Sequence, residues 1–173
     1  MANTDLAQSF RIITPGAEKH AVKWPCAASY AGKPGDAVFI DSNGRATATA
    51  GITLGIQVST PYSVATLAVE TTASATAGAS EILLVVDPNV EFVGQISTFA
   101  VTDPYTTRSS AACYDVAGSA GAYYINAAAS TNDTFKIVRV AEEVATGKQS
   151  EVGAYAKVVA RFNPVVHFLG SIA

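Results

Sequence analysis

Gly32-Lys33-Pro34-Gly35-Asp36-Ala37-Val38-Phe39-Ile40-Asp41-Ser42-Asn43-Gly44-Arg45-Ala46-Thr47-Ala48-Thr49-Ala50-Gly51-Ile52-Thr53-Leu54-Gly55-Ile56-Gln57-Val58-Ser59 is the stretch that decides the fold class. Pro34-Gly35 predicts a turn, since Pro presets φ for a turn's second position and Gly accepts φ > 0 at the third. Ala37 to Asp41 is rich in β-formers and reads as a strand. Asn43-Gly44 is the pair that most favours a tight hairpin, because both residues accept left-handed dihedrals. Arg45 to Ala50 then returns, and Leu54 to Val58 supplies a third strand. The product is a three-stranded meander, the seed of a small barrel or sandwich, and it carries no chemistry.

Working outward, Ala21 to Ala28 reads as a strand that Pro25 pushes to a sheet edge or bulge. Tyr62 to Glu70 alternates weakly and predicts a further strand. Thr71 to Ser80 has the composition of an exposed loop. Ile82 to Val86 is a continuous apolar run, the pattern of a strand buried on both faces. Val90 to Ser97, Tyr123 to Asn126, Phe135 to Val140 and Ala154 to Phe162 complete the strands, with a short helix or loop opened by Asp103. In the last strand Ala156, Val158, Ala160 and Phe162 share one face, and Lys157 and Arg161 the other. About nine or ten short strands with regular turn signals predict an all-β fold with little helix. The expected architecture is a small β-barrel or sandwich core with a second β layer or subdomain from about residue 82. Residues 1–20 form an N-terminal arm, 21–163 the β body and 164–173 a C-terminal apolar tail.

The 173 residues are enough to bury a core, and 49% of them are hydrophobic against 14% charged. Such a chain is too apolar for disorder. A net charge of −3 and no basic cluster argue against nucleic acid as a partner. No apolar run is long enough to span a membrane, so no membrane partner is expected. Met1 to Asp5 lacks the charged start and apolar core of a signal peptide, and synthesis and retention in the cytosol are expected. Cys26 and Cys113 are then two small buried thiols, with a disulfide as the alternative.

The residues of catalysis are missing from the pattern. His20 and His167 have no His, Cys or carboxylate at metal-ligand spacing. There is no G-x-S-x-G elbow, no G-x-G-x-x-G and no phosphate loop. Asp87, Asn89 and Glu91 alternate as calcium ligands do, but a turn at Pro88 explains them equally well. Glu142 and Glu143 point to opposite faces and cannot share a proton. The expectation is no enzyme, no cofactor and no metal. Trp24, the only tryptophan, reads first as a core residue and second as part of a ligand platform.

Asp87-Pro88-Asn89-Val90-Glu91-Phe92-Val93-Gly94-Gln95, Tyr114-Asp115-Val116-Ala117-Gly118, Phe135-Lys136-Ile137-Val138-Arg139-Val140 and Gly153-Ala154-Tyr155-Ala156-Lys157-Val158-Val159-Ala160-Arg161-Phe162-Asn163 recur in an order that resembles capsid cement and head-decoration proteins of tailed bacteriophages. The Pro34 to Asp41 and Leu54 to Ile56 units are similar to the barrel repeats of such proteins. The resemblance implies a structural virion protein, made in the host cytoplasm and located on the capsid exterior. It further implies binding to the major capsid protein as a homo-oligomer, with a trimer favoured. Such a protein places apolar groups at contacts, which nominates Leu6, Phe10, Ile12 and Ile13 before the body and Val165, Val166, Phe168 and Leu169 after it as inter-subunit contacts. The alternative for these ends is that they fold back as edge strands. Two other functions stay open: another virion subunit (head-completion, tail or fibre adaptor), and a carbohydrate-binding β module using Trp24, Tyr105, Tyr114, Tyr123 and Tyr124.

Overall fold

The computed structural model of the chain describes residues 9–49, 51–99, 113–128, 134–142 and 153–163. The described residues are nearly all β. The strands are β1 (Arg11–Ile12), β2 (Val22–Pro25), β3 (Ala37–Ile40), β4 (Ala46–Thr47), β5 (Thr53–Gln57), β6 (Tyr62–Ser63), β7 (Ser80–Val85), β8 (Phe92–Phe99), β9 (Cys113–Ala117), β10 (Tyr124–Asn126), β11 (Phe135–Val140) and β12 (Gly153–Phe162). One 3-10 turn, Ala17–His20, lies between β1 and β2.

The strands make two sheets. The first runs β2-β7-β5-β3-β4, with β6 paired to β7. It curls until its ends nearly meet: Cys26, just past β2, bridges Ala46 in β4, and Ala27 N–H donates to the Ala46 carbonyl at 2.9 Å. The second sheet runs β8-β10-β9-β11-β12 and closes through β12 pairing with β8, which makes a five-stranded barrel. Closure removes the edges that an open sheet would expose. β1 pairs with β8 at Arg11↔Val93 and Ile12↔Phe92, so the segment around Phe10 to Ile13 is an edge strand on the chain's own barrel.

The two sheets meet over one shared cluster, and this helps to explain the burial of the opening meander. Ala37, Phe39 and Ile56 face the barrel cluster of Phe92, Phe135 and Phe162. Val38 and Leu54 point the opposite way, into the curl of the first sheet with Ile82 and Leu84. Strands β3 and β5 are therefore covered on both faces, and every residue of β5 is buried, Thr53 and Gln57 included. The sequence pattern points to residues 82–86 for that position. In β7, however, Glu81 and Leu83 are only half-buried, because that strand lies where the sheet has solvent on one side. After β7 the chain leaves the first sheet and enters the second at Phe92.

The Asp41–Arg45 hairpin turn is present with a different geometry from the one expected. Gly44 has φ 76°, whereas Asn43 does not join the left-handed residues. Gly44 N–H donates to the Asp41 carbonyl at 3.0 Å and Asp41 N–H to the Arg45 carbonyl at 2.9 Å. One left-handed residue after an ordinary turn is the three-residue hairpin with a bulge, not the two-residue mirror-image turn. No atom lies within 4 Å of a Cβ built on Gly44, so Gly44→Val is opposed by backbone strain alone. The expected cost is about 1–2 kcal/mol, read as a lower urea midpoint with unchanged slope. An unchanged midpoint would contradict it.

Several segments read differently from their sequence. Tyr62 to Glu70 is not one strand; β6 ends at Ser63 and the chain turns back so that Val69 bridges Tyr62. The 71–80 loop is partly internal, since Ala73 is buried and its N–H donates to the Tyr30 carbonyl at 2.7 Å. Residues 103–112 lie outside the described residues.

Candidate functional site

Three polar constellations are built into the body, and each has its partners. Asp36, fully buried, closes the Lys33–Asp36 turn by accepting from Lys33 N–H at 2.8 Å. Its carboxylate also accepts from Ser9 Oγ–H at 2.6 Å and from Gly121 N–H at 2.8 and 3.0 Å. Ser9 Oγ in turn accepts from Tyr123 N–H at 3.1 Å. One side chain thus ties the segment preceding β1, the turn entering β3 and the turn entering β10. Nearby, Tyr30 O–H donates to Gln57 Oε1 at 2.6 Å, while Gln57 Nε2 donates to the carbonyls of Gly32 and Ser59 at 3.1 and 2.6 Å. Burial, with Asp36 next in effect, pushes the Tyr30 phenol far above its ordinary range. It is a fixed donor rather than an acid.

The second constellation braces the segment after β6. Ser80 Oγ–H donates to Glu70 Oε2 at 2.5 Å and accepts from Ser74 N–H at 2.8 Å. Tyr62 O–H donates to Glu81 Oε2 at 2.9 Å, and burial together with that bond pushes the phenol up to about 12. Cys26 is a free, buried thiol in the same region; burial, reinforced by the carboxylates of Glu70 and Glu81, pushes it up to about 12. A thiol so far above neutral pH is not a nucleophile. In the folded protein at pH 8, Cys26 is expected to resist iodoacetamide and to be alkylated once denaturant is added, as read by mass spectrometry. Rapid native labelling at Cys26 would show that the thiol is accessible and ionised.

The third lies on the barrel surface. Glu91 accepts from Arg161 Nη2 at 2.6 Å and Arg139 Nη1 at 2.9 Å, and these two hydrogen bonds hold its carboxyl below the ordinary range. A depressed carboxylate stabilises the fold above its unfolded pKa, and that contribution is lost as pH falls through the folded value. Glu91→Gln should therefore flatten the acid side of the stability profile below about pH 4.5, by no more than about 1 kcal/mol for so exposed a cluster. A profile identical to the parent's would show that the arginines do not act on it. The calcium reading loses its ligands here: Glu91 is held by two arginines, and Asp87 Oδ1 accepts from Asn89 N–H at 2.8 Å in a local turn. Among the described residues no group of three or more potential metal ligands comes together.

The aromatic residues nominated for a platform are spread over both sheets, with Tyr124 half-buried in β10. Trp24 is half-buried on the first sheet, where its Nε1–H donates to the Gly44 carbonyl at 2.9 Å. Tyr123 is buried in the barrel core and Tyr114 packs against that core. Tyr105 lies outside the described residues. Of the nominated apolar contacts, Phe10 is 3% exposed, stacked among Phe92 and Phe135 in the chain's own core, and Ile12 packs against the same cluster. Ile13 is half-buried. Leu6, Val165, Val166, Phe168 and Leu169 lie outside the described residues, as do His167 and Glu143.

Among the described residues, the most exposed apolar side chains lie elsewhere. After β6, the residues Val64-Ala65-Thr66-Leu67-Ala68-Val69 are all exposed, Leu67 by 71% and Val69 by 76%. They cap a hairpin closed by Ser63 N–H to the Ala68 carbonyl at 2.9 Å and Leu67 N–H to the Ser63 carbonyl at 2.8 Å. Leu67 has φ 58°, a left-handed conformation unusual for a branched aliphatic residue. A weakly alternating pattern concealed this tip in the sequence, where it ends a run of 24 residues, Ala46 to Val69, without a charged side chain. No family model, curated protein or solved structure matches the chain.

Proposed function

We propose that this chain is a structural virion protein that binds the outer face of a phage capsid lattice and stiffens the head. The observation that carries the reading is a body whose polar clusters tie its own segments together, combined with an ordered, charge-free apolar tip turned outward. Asp36, Gln57 and Glu91 hold segments together; Val64, Leu67 and Val69 belong to none of the three core clusters of the described residues. The segments that carry the resemblance supply β8, β9, β11 and β12 of the closed barrel. A stiff barrel fused to a second sheet suits a load-bearing part, and many copies on one lattice gain avidity from weak single contacts. In this reading the partner is the major capsid protein, the chain is a homo-oligomer without catalysis or cofactor, and it resides on the capsid exterior.

The test adds purified protein to undecorated heads. The expected result is saturable binding at many equivalent lattice positions in an electron-microscopy map, with greater resistance of the heads to heat. Density restricted to a single vertex would replace cement with an adaptor role. No binding to heads would overturn the proposal.

A further inference from the structure

The Asp41–Arg45 turn carries a reactive bond and a structural latch in the same residues. Asn43-Gly44 is the one asparagine–glycine pair in the chain, and Asn43 is exposed. Glycine after asparagine favours deamidation, because without a Cβ its backbone nitrogen can close on the asparagine side-chain carbon. The latch joins the two ends of the curled sheet. Trp24 in β2 donates its Nε1–H to the Gly44 carbonyl at 2.9 Å, close to the Cys26–Ala46 bridge. Asp41 holds the turn in place, its Oδ1 accepting from Asn43 N–H and Arg45 N–H, both at 2.8 Å, and its carbonyl from Gly44 N–H at 3.0 Å.

We propose that Asn43 is a site of spontaneous deamidation, and that its conversion releases Trp24 and loosens the seam of the curled sheet. A local opening of the turn first frees Gly44 N–H from the Asp41 carbonyl. The Gly44 nitrogen gives its proton to hydroxide and attacks Asn43 Cγ. The new N–C bond displaces the side-chain nitrogen as ammonia and closes a five-membered succinimide. Water then adds to one ring carbonyl. Cleavage of the N–Cγ bond gives aspartate; cleavage of the N–C bond to the original backbone carbonyl gives isoaspartate, with the main chain rerouted through the side chain. One water enters, one ammonia leaves, and nothing is oxidised or reduced. Isoaspartate adds a methylene to the main chain directly before Gly44, which moves the Gly44 carbonyl away from Trp24 Nε1. It also sets a second carboxylate beside Asp41, so the group that caps the turn is repelled by its neighbour. None of this requires a capsid, so it stands or falls apart from the cement proposal.

Trp24 is the only tryptophan and is half-buried, so the intrinsic fluorescence of the purified full chain reports on the latch directly. On incubation at pH 8 and 37 °C, peptide mass spectrometry should show Asn43 converted before any other asparagine. Emission should move to longer wavelength in step with that conversion, as the indole meets water. Asp41→Ala should speed the conversion about fivefold, since the turn opens more often. Asn43→Gln, which would have to close a six-membered ring, should keep its emission constant; Asn43→Ser is the substitute if Asn43→Gln lowers the urea midpoint. An intact Asn43 while other asparagines convert, a converted Asn43 with unchanged emission, or the same drift in the Asn43 variant would each overturn the proposal.

Discussion

Asp36→Ala is expected to lower the unfolding free energy by about 3–5 kcal/mol, a large part of a small domain's total. Truncation leaves the Ser9 hydroxyl and the Lys33 and Gly121 N–H groups without their acceptor, around a carboxylate that is itself fully buried. Each orphaned donor costs roughly 1–3 kcal/mol, more than the net worth of the bond it made. Asp36→Asn retains the volume but offers its NH₂ to groups that are themselves donors, and should lose about 2–3 kcal/mol. Asp41→Ala is the control: it also removes a carboxylate that accepts two backbone N–H groups, from Asn43 and Arg45, but in an exposed hairpin. Its cost should stay near 1 kcal/mol. Urea denaturation measures all three. Hydrogen exchange at Gly121 and Tyr123 gives a local readout, since both amides should lose protection first. Equal midpoints for Asp36→Ala and Asp41→Ala would show that the buried carboxylate does not tie the sheets.

Phe92→Ala should cost a similar amount, about 3–5 kcal/mol, for an apolar reason. The Phe92 ring lies 5.3 Å from Phe10, 5.1 Å from Phe135 and 5.2 Å from Phe162, centroid to centroid, in edge-on or tilted contacts. Its removal opens a cavity where four rings and two sheets meet, and a closed barrel cannot collapse to fill it. Phe92→Leu should retain most of the packing and lose about 1–2 kcal/mol. Thermal or urea unfolding would decide; a loss under about 1 kcal/mol for Phe92→Ala would mean that the cluster can repack. Gly94, two residues on, marks the same packing: a Cβ there would stand 2.5 Å from the Phe10 ring.

The candidate site was only partly legible in the sequence. That Cys26 is a small buried thiol and Trp24 a packing residue followed from composition and residue type. Asp36 looked like a turn residue, and the turn is there, but the donors that make it a tie come from residues 9 and 121. No local pattern reports a bond across that separation. The 64–69 tip was hidden for the opposite reason. Alternation in a short run fits a strand, and only the bridge from Val69 back to Tyr62 turns it into a hairpin. The terminal residues are apolar and lie outside the meander, which is all that a contact surface shows in sequence, yet Phe10 is drawn into the chain's own core by β1 pairing with β8.

By itself the sequence determined the all-β class, the positions of most strands and the left-handed glycines at 35 and 44, because these depend on contacts within a few residues. It also determined the inward face of β12, since alternation is a property of the backbone and needs no partner. Tertiary structure decided what lies against each face. It closed five strands into a barrel, left the other sheet curled with only a bridge at Cys26 and Ala46, and set β3 and β5 between them. That is why Thr53 and Gln57, polar in every local reading, are buried, while Leu67, apolar in every local reading, stands in solvent. Burial depends on which surfaces meet, and the residues that meet here are as far apart in the chain as Phe39 and Phe162.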